Sequence, residues 1–145
     1  MSELMEKAIR DTFPEAVLES AEVDGALQLK LAKDALLGVC ELLRNQHGFD
    51  YLADITAIDW KDRIEVVYRM TNLATNAKVI LRVDLDHEKP EVESVTPVWR
   101  GADFQEREVY DLMGVVFTGH PNLKRILLPL DWEGYPLRKD YVIPD

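Results

Sequence analysis

The chain has 145 residues, of which 47% are hydrophobic and 30% are charged, and its formal net charge is -10. These values are typical of one folded domain and exclude a disordered chain, while no apolar run approaches the roughly 20 residues that a membrane helix requires. The negative charge would repel nucleic acid and anionic lipid, so we expect protein partners and no direct binding to a membrane.

The first third of the chain alternates between helix and strand patterns. Apolar residues at helical spacing predict a short amphipathic helix, with Ser2 as its N-cap, that stops at Pro14. Two β-compatible runs, 17–23 and 27–31, flank the Asp-Gly dipeptide at 24–25. This dipeptide is typical of two-residue hairpin turns because both positions need positive φ, so we predict a hairpin here.

A second helix and three strand-like runs make up the middle of the chain. The helix pattern covers 33–46 and ends at Gly48, a residue that adopts the left-handed conformation at low cost. The runs 49–58, 64–70 and 79–85 are rich in Ile, Val, Leu and Tyr, and their short connectors leave room only for antiparallel pairing. We therefore predict an α+β fold with a mainly antiparallel sheet covered by the second helix.

The last third begins with regular patterns and ends without them. The run 91–95 predicts one more edge strand, and 102–113 predicts a third helix closed by Gly114. Four prolines beyond it exclude a long helix or a central strand: Pro121, Pro129, Pro136 and Pro144. We expect a single domain in which 1–118 is a compact core and 119–145 is an extended arm.

The sequence contains no pattern typical of a cofactor or metal site. His47, His87 and His120 are not spaced from one another, or from Cys40, as metal ligands are. Cys40 lies on the apolar side of a helix pattern, which is typical of a buried free thiol, and one cysteine cannot ligate an iron–sulfur cluster. Glycine-rich phosphate loops are also missing. We therefore predict no catalytic residue, no metal and no cofactor in this chain itself.

Two carboxylates on the third helix, Glu106 and Glu108, are candidates for acid–base chemistry. Residues two apart on a helix point about 200° away from each other, so these two cannot act as a pair on one substrate. Arg107 is spaced to pair with Asp103 and Asp111, each four residues away, and we expect these pairs to stiffen the helix. Arg107 would then belong either to a solvated helix face or to an interface.

Aromatic and basic residues alternate along the arm. They are Phe117, just before the arm, and Arg125, Trp132, Tyr135, Arg138, Lys139 and Tyr141 within it. Trp, Tyr and Arg dominate interface energetics because they bury large areas and keep a directional polar group. We therefore predict that the arm docks on a partner and adds little to the stability of the isolated domain. The alternative is a surface loop packed on its own domain.

Several short motifs occur between positions 106 and 141. They are EREVYDLMG at 106–114, Phe117, GHP at 119–121, Leu123, RIL at 125–127, WEG at 132–134 and PLRKDY at 136–141. In this combination they resemble the 30-kDa subunit of NADH:quinone oxidoreductase, which is the C subunit of respiratory complex I. The preceding order of helices and strands is similar to that family as well.

The resemblance implies a cofactor-free accessory subunit in the peripheral arm of a membrane-bound, proton-translocating NADH:quinone oxidoreductase. Such a subunit would lie against the D subunit of complex I, which lines the quinone cavity, and near the B subunit, which carries the terminal iron–sulfur cluster. It would be peripheral, on the cytoplasmic face of the cell membrane, and attached only through the complex. The implied partner-docking residues are Glu106, Arg107, Glu108, Asp111, His120, Arg125, Trp132, Tyr135, Arg138, Lys139 and Tyr141.

Three alternatives stay open from the sequence. Related subunits occur in membrane-bound hydrogenases and in ferredoxin-linked complexes. A small carboxylate-using hydrolase could employ Glu106, Glu108 and His120, and a free-standing regulatory binding module would use the arm alone. An enzyme requires a concave pocket with convergent polar groups, whereas a docking subunit requires an exposed strip of aromatic residues and arginines.

Overall fold

The structure, a computed structural model, describes residues 2–142. Its helices and strands are α1 Ser2–Thr12, β1 Val17–Val23, β2 Ala26–Leu31, α2 Leu36–His47, β3 Tyr51–Asp59, β4 Arg63–Asn72, β5 Ala77–Asp86, β6 Glu91–Glu93, α3 Ala102–Met113 and β7 Val116–Thr118. A short 3-10 helix, Lys33–Ala35, precedes α2. Every helix and strand that the sequence predicts is present, with ends shifted by a few residues.

Local backbone conformations join and end these elements. Asp24 and Gly25 have φ angles of 51° and 80°, which confirms the hairpin turn predicted between β1 and β2. α2 ends at Gly48, whose φ is 77° and whose N–H donates to the carbonyl of Leu43. Both features follow from the conformational preferences of the residues at the turn itself.

The main sheet has five strands in the order β1-β2-β5-β4-β3. Its neighbouring strands are antiparallel except for β2 and β5, which run parallel with Leu27 opposite Val79 and Leu31 opposite Val83. The predicted α+β class and mainly antiparallel sheet are therefore confirmed. The argument from short connectors overlooked the parallel pair, because β2 and β5 are joined through α2, β3 and β4.

The hydrophobic core joins α2 to one face of the main sheet. Its α2 members are Leu36, Val39, Cys40, Leu42 and Leu43, and its β2 members are Leu27, Leu29 and Leu31. Cys40 is a free, fully buried thiol, as predicted, and desolvation raises its pKa well above the ordinary value. It is therefore a packing residue.

β6 and β7 form a separate, two-stranded parallel sheet, with Glu91 opposite Val116 and Glu93 opposite Thr118. The strand predicted at 91–95 is present in shorter form. Its partner β7 was not predicted, because a strand of three residues is too short to show an alternating pattern. This pairing places the start of the arm beside β6.

Candidate functional site

Asp111, in the last turn of α3, is the centre of the contacts between the arm and the core. Its carboxylate is fully buried, and its Oδ1 accepts a bond of 2.8 Å from Nη1 of Arg125. Its Oδ2 accepts backbone N–H bonds from Ile126, Leu127 and Leu128 at 3.1, 2.7 and 3.0 Å. Burial alone would raise the pKa of this carboxyl, but the bonds from Arg125 and the three amides outweigh it and lower the pKa. Asp111 is therefore ionised, and its carboxylate holds this segment of the arm.

Arg125 is bonded almost entirely within the chain. Its Nη1 also donates to the carbonyl of Asp111 at 2.8 Å, and its Nη2 donates to the carbonyl of Gly134 at 2.7 Å. Its guanidinium carbon lies 4.9 Å from the centroid of the Tyr135 ring, within cation–π range. These bonds connect two parts of the arm to α3. Because the side chain is nearly buried, it offers little surface to a partner.

The arm caps the C-terminal end of α3. The last four carbonyls of a helix have no partner inside it, and cations are favoured there. The carbonyl of Leu112 accepts the N–H of Leu137 at 3.0 Å, and that of Met113 accepts Nε of Arg138 at 2.8 Å. Nη2 of Arg138 also donates to the carbonyl of His87 at 3.1 Å. The arm thereby supplies hydrogen-bond donors that the helix end needs.

Tyr135 covers the same helix end. Gly114 closes α3 with a φ of 77°, and a Cβ built on it would lie 2.7 Å from Cδ2 of Tyr135. The Tyr135 ring also lies 6.1 Å from the ring of Tyr110, centroid to centroid. Glycine is therefore required at 114 both for its backbone conformation and for the approach of the ring.

A second buried carboxylate, Asp59 at the end of β3, holds the far end of the arm. Its Oδ2 accepts the backbone N–H of Lys139 at 2.8 Å. Its Oδ1 accepts the N–H of Lys61 at 2.8 Å and lies 3.0 Å from Nε2 of His87. Burial would raise the pKa of Asp59, but the two amides and His87 lower it overall. The arm is thus attached to the core at both ends, which opposes the expectation that it adds little to stability.

The ion pairs predicted along α3 are not formed. Arg107 donates from Nε to the carbonyl of Lys124 at 3.2 Å and from Nη2 to that of Arg125 at 3.4 Å. Neither Asp103 nor Asp111 is among its partners, so that prediction is wrong. The arm lies alongside the helix and brings carbonyl acceptors that helical spacing could not reveal.

His120 is a structural residue at the start of the arm. Its side chain is fully buried, and its Nε2 is hydrogen-bonded to the backbone carbonyl of Asp103 at 3.2 Å, with Oδ1 of the same residue 3.0 Å away. Its Nδ1 accepts the N–H of Asn122 at 2.9 Å. Because Nδ1 is an acceptor, the proton of the neutral ring is on Nε2 and points toward Asp103. His120 therefore joins the arm to the first turn of α3.

Glu106 lies in the interior of the chain. Its Oε1 accepts the hydroxyl of Ser94 at 2.6 Å, and its Oε2 accepts the N–H of Val95 at 2.8 Å. Burial raises the pKa of Glu106 to about 7, because desolvation outweighs these two bonds. Glu108 is exposed, so the two carboxylates do not meet, in agreement with the helix geometry. Since His120 is also fully buried against α3, the hydrolase alternative has no converging side chains to support it.

The outward side of α3, β7 and the arm carries large apolar side chains. They are Phe104, Val116, Leu127, Leu130, Trp132, Leu137 and Val142. Three of the predicted docking residues are also exposed: Glu108, Trp132 and Lys139. Glu106 and Asp111 are interior residues and form no part of this surface, although Asp111 holds the arm that carries much of it. Sequence reasoning sought aromatic and basic residues and so missed the leucines, although Leu127 alternates with two inward-facing neighbours.

These features define a small α+β protein whose C-terminal segment is fixed to its own helix end and presents apolar side chains outward. A family model described as "Respiratory-chain NADH dehydrogenase, 30 Kd subunit" matches residues 29–145. The chain belongs to this family, as the sequence motifs predicted.

Curated relatives agree with this assignment. The C subunit of the NADH-quinone oxidoreductase of Moorella thermoacetica is 46% identical over 131 residues, which cover 89% of this chain and 87% of that protein. The subunit of the same name from Roseiflexus sp. (strain RS-1) is 39% identical over 137 residues, which cover 91% of this chain and 79% of that protein. The relatives of this chain are thus subunits of an enzyme complex.

Solved structures share the fold. A trypsin-resistant fragment of Nqo5 aligns with a TM-score of 0.68 and 30% identity, covering 84% of this chain and 98% of the fragment. A chain of the membrane-bound sulfane sulfur reductase, an archaeal respiratory membrane complex, aligns with a TM-score of 0.82 and 26% identity, covering 98% of this chain and 86% of that one. No helix among residues 2–142 is long and apolar enough to cross a membrane.

Proposed function

We propose that the chain is a non-catalytic, peripheral subunit of a complex I-type, proton-translocating NADH:quinone oxidoreductase. It supports electron transfer to quinone by docking, through the arm and the outward side of α3, onto the subunits that form the quinone site. Family membership supports the assembly. The observation that carries the docking role is the arm itself, because buried Asp111 and Asp59 fix its backbone while its apolar side chains face solvent.

The proposed partners are the D and B subunits of the complex, on the cytoplasmic face of the membrane. In this proposal the chain supplies shape and stability, and the redox centres belong to its partners. Among the residues that the structure describes, no group of three His, Cys, Asp or Glu side chains is placed to hold a metal ion. The buried carboxylates are used for structure, since Asp111, Asp59 and Glu106 each accept hydrogen bonds from within the chain.

The proposal is tested by assembly in cells that lack their own copy of this chain. Expression of the tagged wild-type chain should restore a membrane complex with NADH:quinone activity. Mass spectrometry of the purified complex should identify the D and B subunits beside the tagged chain, and the chain alone should be colourless and should not oxidise NADH. Restored activity in a complex without the chain, or NADH oxidation by the chain alone, would contradict the proposal.

A second candidate is a related respiratory membrane complex with another electron donor. It is favoured by the alignment with a chain of the membrane-bound sulfane sulfur reductase, which covers 98% of this chain. The two candidates differ in their partners and donors. The purified complex is therefore assayed with NADH and with reduced ferredoxin, and its other subunits are identified. Activity with ferredoxin alone would select the second candidate.

A further inference from the structure

We propose that the docking energy of the arm lies in an apolar tip, residues 127–132, which inserts into a concave apolar pocket with a basic rim on a partner protein. This inference rests on the proposed function, because it names the surface and the partner chemistry through which the subunit docks. It differs from the sequence prediction, which placed docking on the arginines of the arm as well as on its aromatic residues.

The apolar tip is a turn with exposed side chains. The N–H of Trp132 donates to the carbonyl of Pro129 at 3.0 Å, which closes a turn with Leu130 and Asp131 at its corner. Leu130 is 75% exposed, Leu127 is 58% exposed and Trp132 is 37% exposed. Large apolar side chains that are exposed on one short turn are buried best by a concave apolar surface.

Asp111 holds the base of the tip rigidly. The N–H groups of Leu127 and Leu128 both donate to its Oδ2, at 2.7 and 3.0 Å. With the backbone held here, Ile126 and Leu128 are half-buried while Leu127 points outward. A backbone that is ordered before binding loses little conformational entropy on binding, so more of the energy of burying its exposed side chains appears as affinity.

The arginines of the arm are already used within the chain. Arg125 donates to Asp111 and Gly134, and Arg138 donates to the carbonyl of Met113. A partner could take these donors only by leaving their present acceptors unpaired, which costs more than a new hydrogen bond contributes. The arginines therefore determine the shape of the tip, and its apolar side chains bind the partner.

Charge favours a protein pocket over a membrane surface. Asp131 and Glu133 flank Trp132, both are exposed, and neither forms an ion pair with another described residue. The whole chain also carries a net charge of -10. An anionic lipid surface would repel these carboxylates, whereas Lys or Arg side chains around a protein pocket would attract them. The pocket that fits this tip therefore has a basic rim.

The test compares Leu130→Ser and Trp132→Ser with a matched control, Leu73→Ser. Leu73 lies in the turn between β4 and β5 and is 63% exposed. Each full-length chain is added to the remaining subunits of the complex, purified through a tag on one of them from cells that lack this chain, and the dissociation constant is measured. Both tip variants should bind about thirtyfold more weakly than the wild type, the usual loss at a central interface residue. Leu73→Ser should bind like the wild type, and circular dichroism should show that all variants are folded.

The outcomes separate this inference from the proposed function. Tip variants that bind as tightly as Leu73→Ser would contradict the inference that the tip provides the docking energy, and they would leave the proposed function intact. A wild-type chain that does not bind the complex would overturn the proposed function itself. For the rim, the double variant Asp131→Asn, Glu133→Gln should associate roughly tenfold more slowly at low salt. An unchanged association rate would overturn the basic rim.

Two other binding partners of the tip, a lipid surface and a second copy of this chain, are tested with the purified chain alone. Flotation with vesicles of phosphatidylglycerol and phosphatidylethanolamine should show no binding, and sedimentation velocity should show a monomer. Vesicle binding that Leu130→Ser abolishes would overturn the protein pocket in favour of lipid. A dimer that Leu130→Ser dissociates would overturn it in favour of a second copy of this chain.

Discussion

Asp111 and Arg125, 14 residues apart in sequence, form a buried ion pair in which Oδ1 and Nη1 are 2.8 Å apart, and this pair closes the arm over the end of α3. The carboxylate accepts three backbone amides as well, so its removal would leave a buried guanidinium and three N–H groups without their acceptor. Groups left unpaired in this way are among the largest sources of destabilisation in a folded protein.

Asp111→Ala should therefore lower the free energy of unfolding by about 3–5 kcal/mol, the usual effect of breaking a buried ion pair. Urea denaturation followed by circular dichroism measures it. The control is Asp11→Ala, which removes an exposed pair with Lys7 on α1 and should leave stability unchanged. Equal effects of the two substitutions would mean that the arm is not anchored through Asp111.

Asp59 should make stability depend on acid pH. Its pKa is lowered below the ordinary value of 3.8 by bonds that exist only in the folded chain. A carboxyl with a lowered folded pKa stabilises above its unfolded pKa, and this contribution is lost as pH falls through the folded pKa. Asp59→Asn should thus be less stable than the wild type near neutral pH, and its stability should fall less steeply below about pH 4. Urea midpoints at several pH values test this, and parallel curves would contradict it.

Glu106 should make stability decrease as pH rises, the opposite of the effect of Asp59. Its folded pKa is about 7 and its ordinary value is 4.5, so between these values the folded chain binds more protons than the unfolded chain. Stability should therefore fall as pH rises from 4.5 to about 7 and should level off above that. Glu106→Gln keeps an acceptor for Val95 and turns its amide N–H toward Ser94, whose hydroxyl then accepts instead of donating. It should remove this slope, with a gain of up to roughly 3 kcal/mol in mildly alkaline solution.

The matched control for Glu106→Gln is Glu108→Gln, two residues away on the exposed side of α3. It should keep the wild-type dependence of stability on pH. A wild-type profile that is flat between about pH 5 and pH 8 would show that Glu106 does not titrate there.

Gly114→Ala and Gly119→Ala separate backbone strain from packing. Both glycines have positive φ, at 77° and 81°, so alanine costs about 1–2 kcal/mol at either position. Only at Gly114 would the new Cβ lie 2.7 Å from the Tyr135 ring, whereas at Gly119 nothing lies within 4 Å. Gly114→Ala should therefore be the more destabilising substitution, and trypsin should cleave the arm at Arg138 faster in that variant. Equal stability of the two variants would mean that Tyr135 does not pack on the helix end.

Features that depend on neighbouring residues could be predicted from the sequence. The hairpin at 24–25 and the helix ends at Gly48 and Gly114 follow from residues that adopt positive φ at low cost. The family follows from the combination of short motifs between 106 and 141, and the family model that matches residues 29–145 confirms it. Each of these signals is contained in a short stretch of chain, so no knowledge of packing was needed.

Only the tertiary structure decided which polar groups meet. Asp59 accepts the amide of Lys139, 80 residues away, and no periodicity connects two such distant positions. Helical spacing allowed Arg107 to pair with Asp111. Instead, Arg107 donates to a carbonyl of the arm, and Asp111 accepts from Arg125. The sequence alone therefore determined the α+β elements and the family, and packing determined which carboxylates are buried. The physical reason is that a buried charge requires partners, and long-range folding decides which segment supplies them.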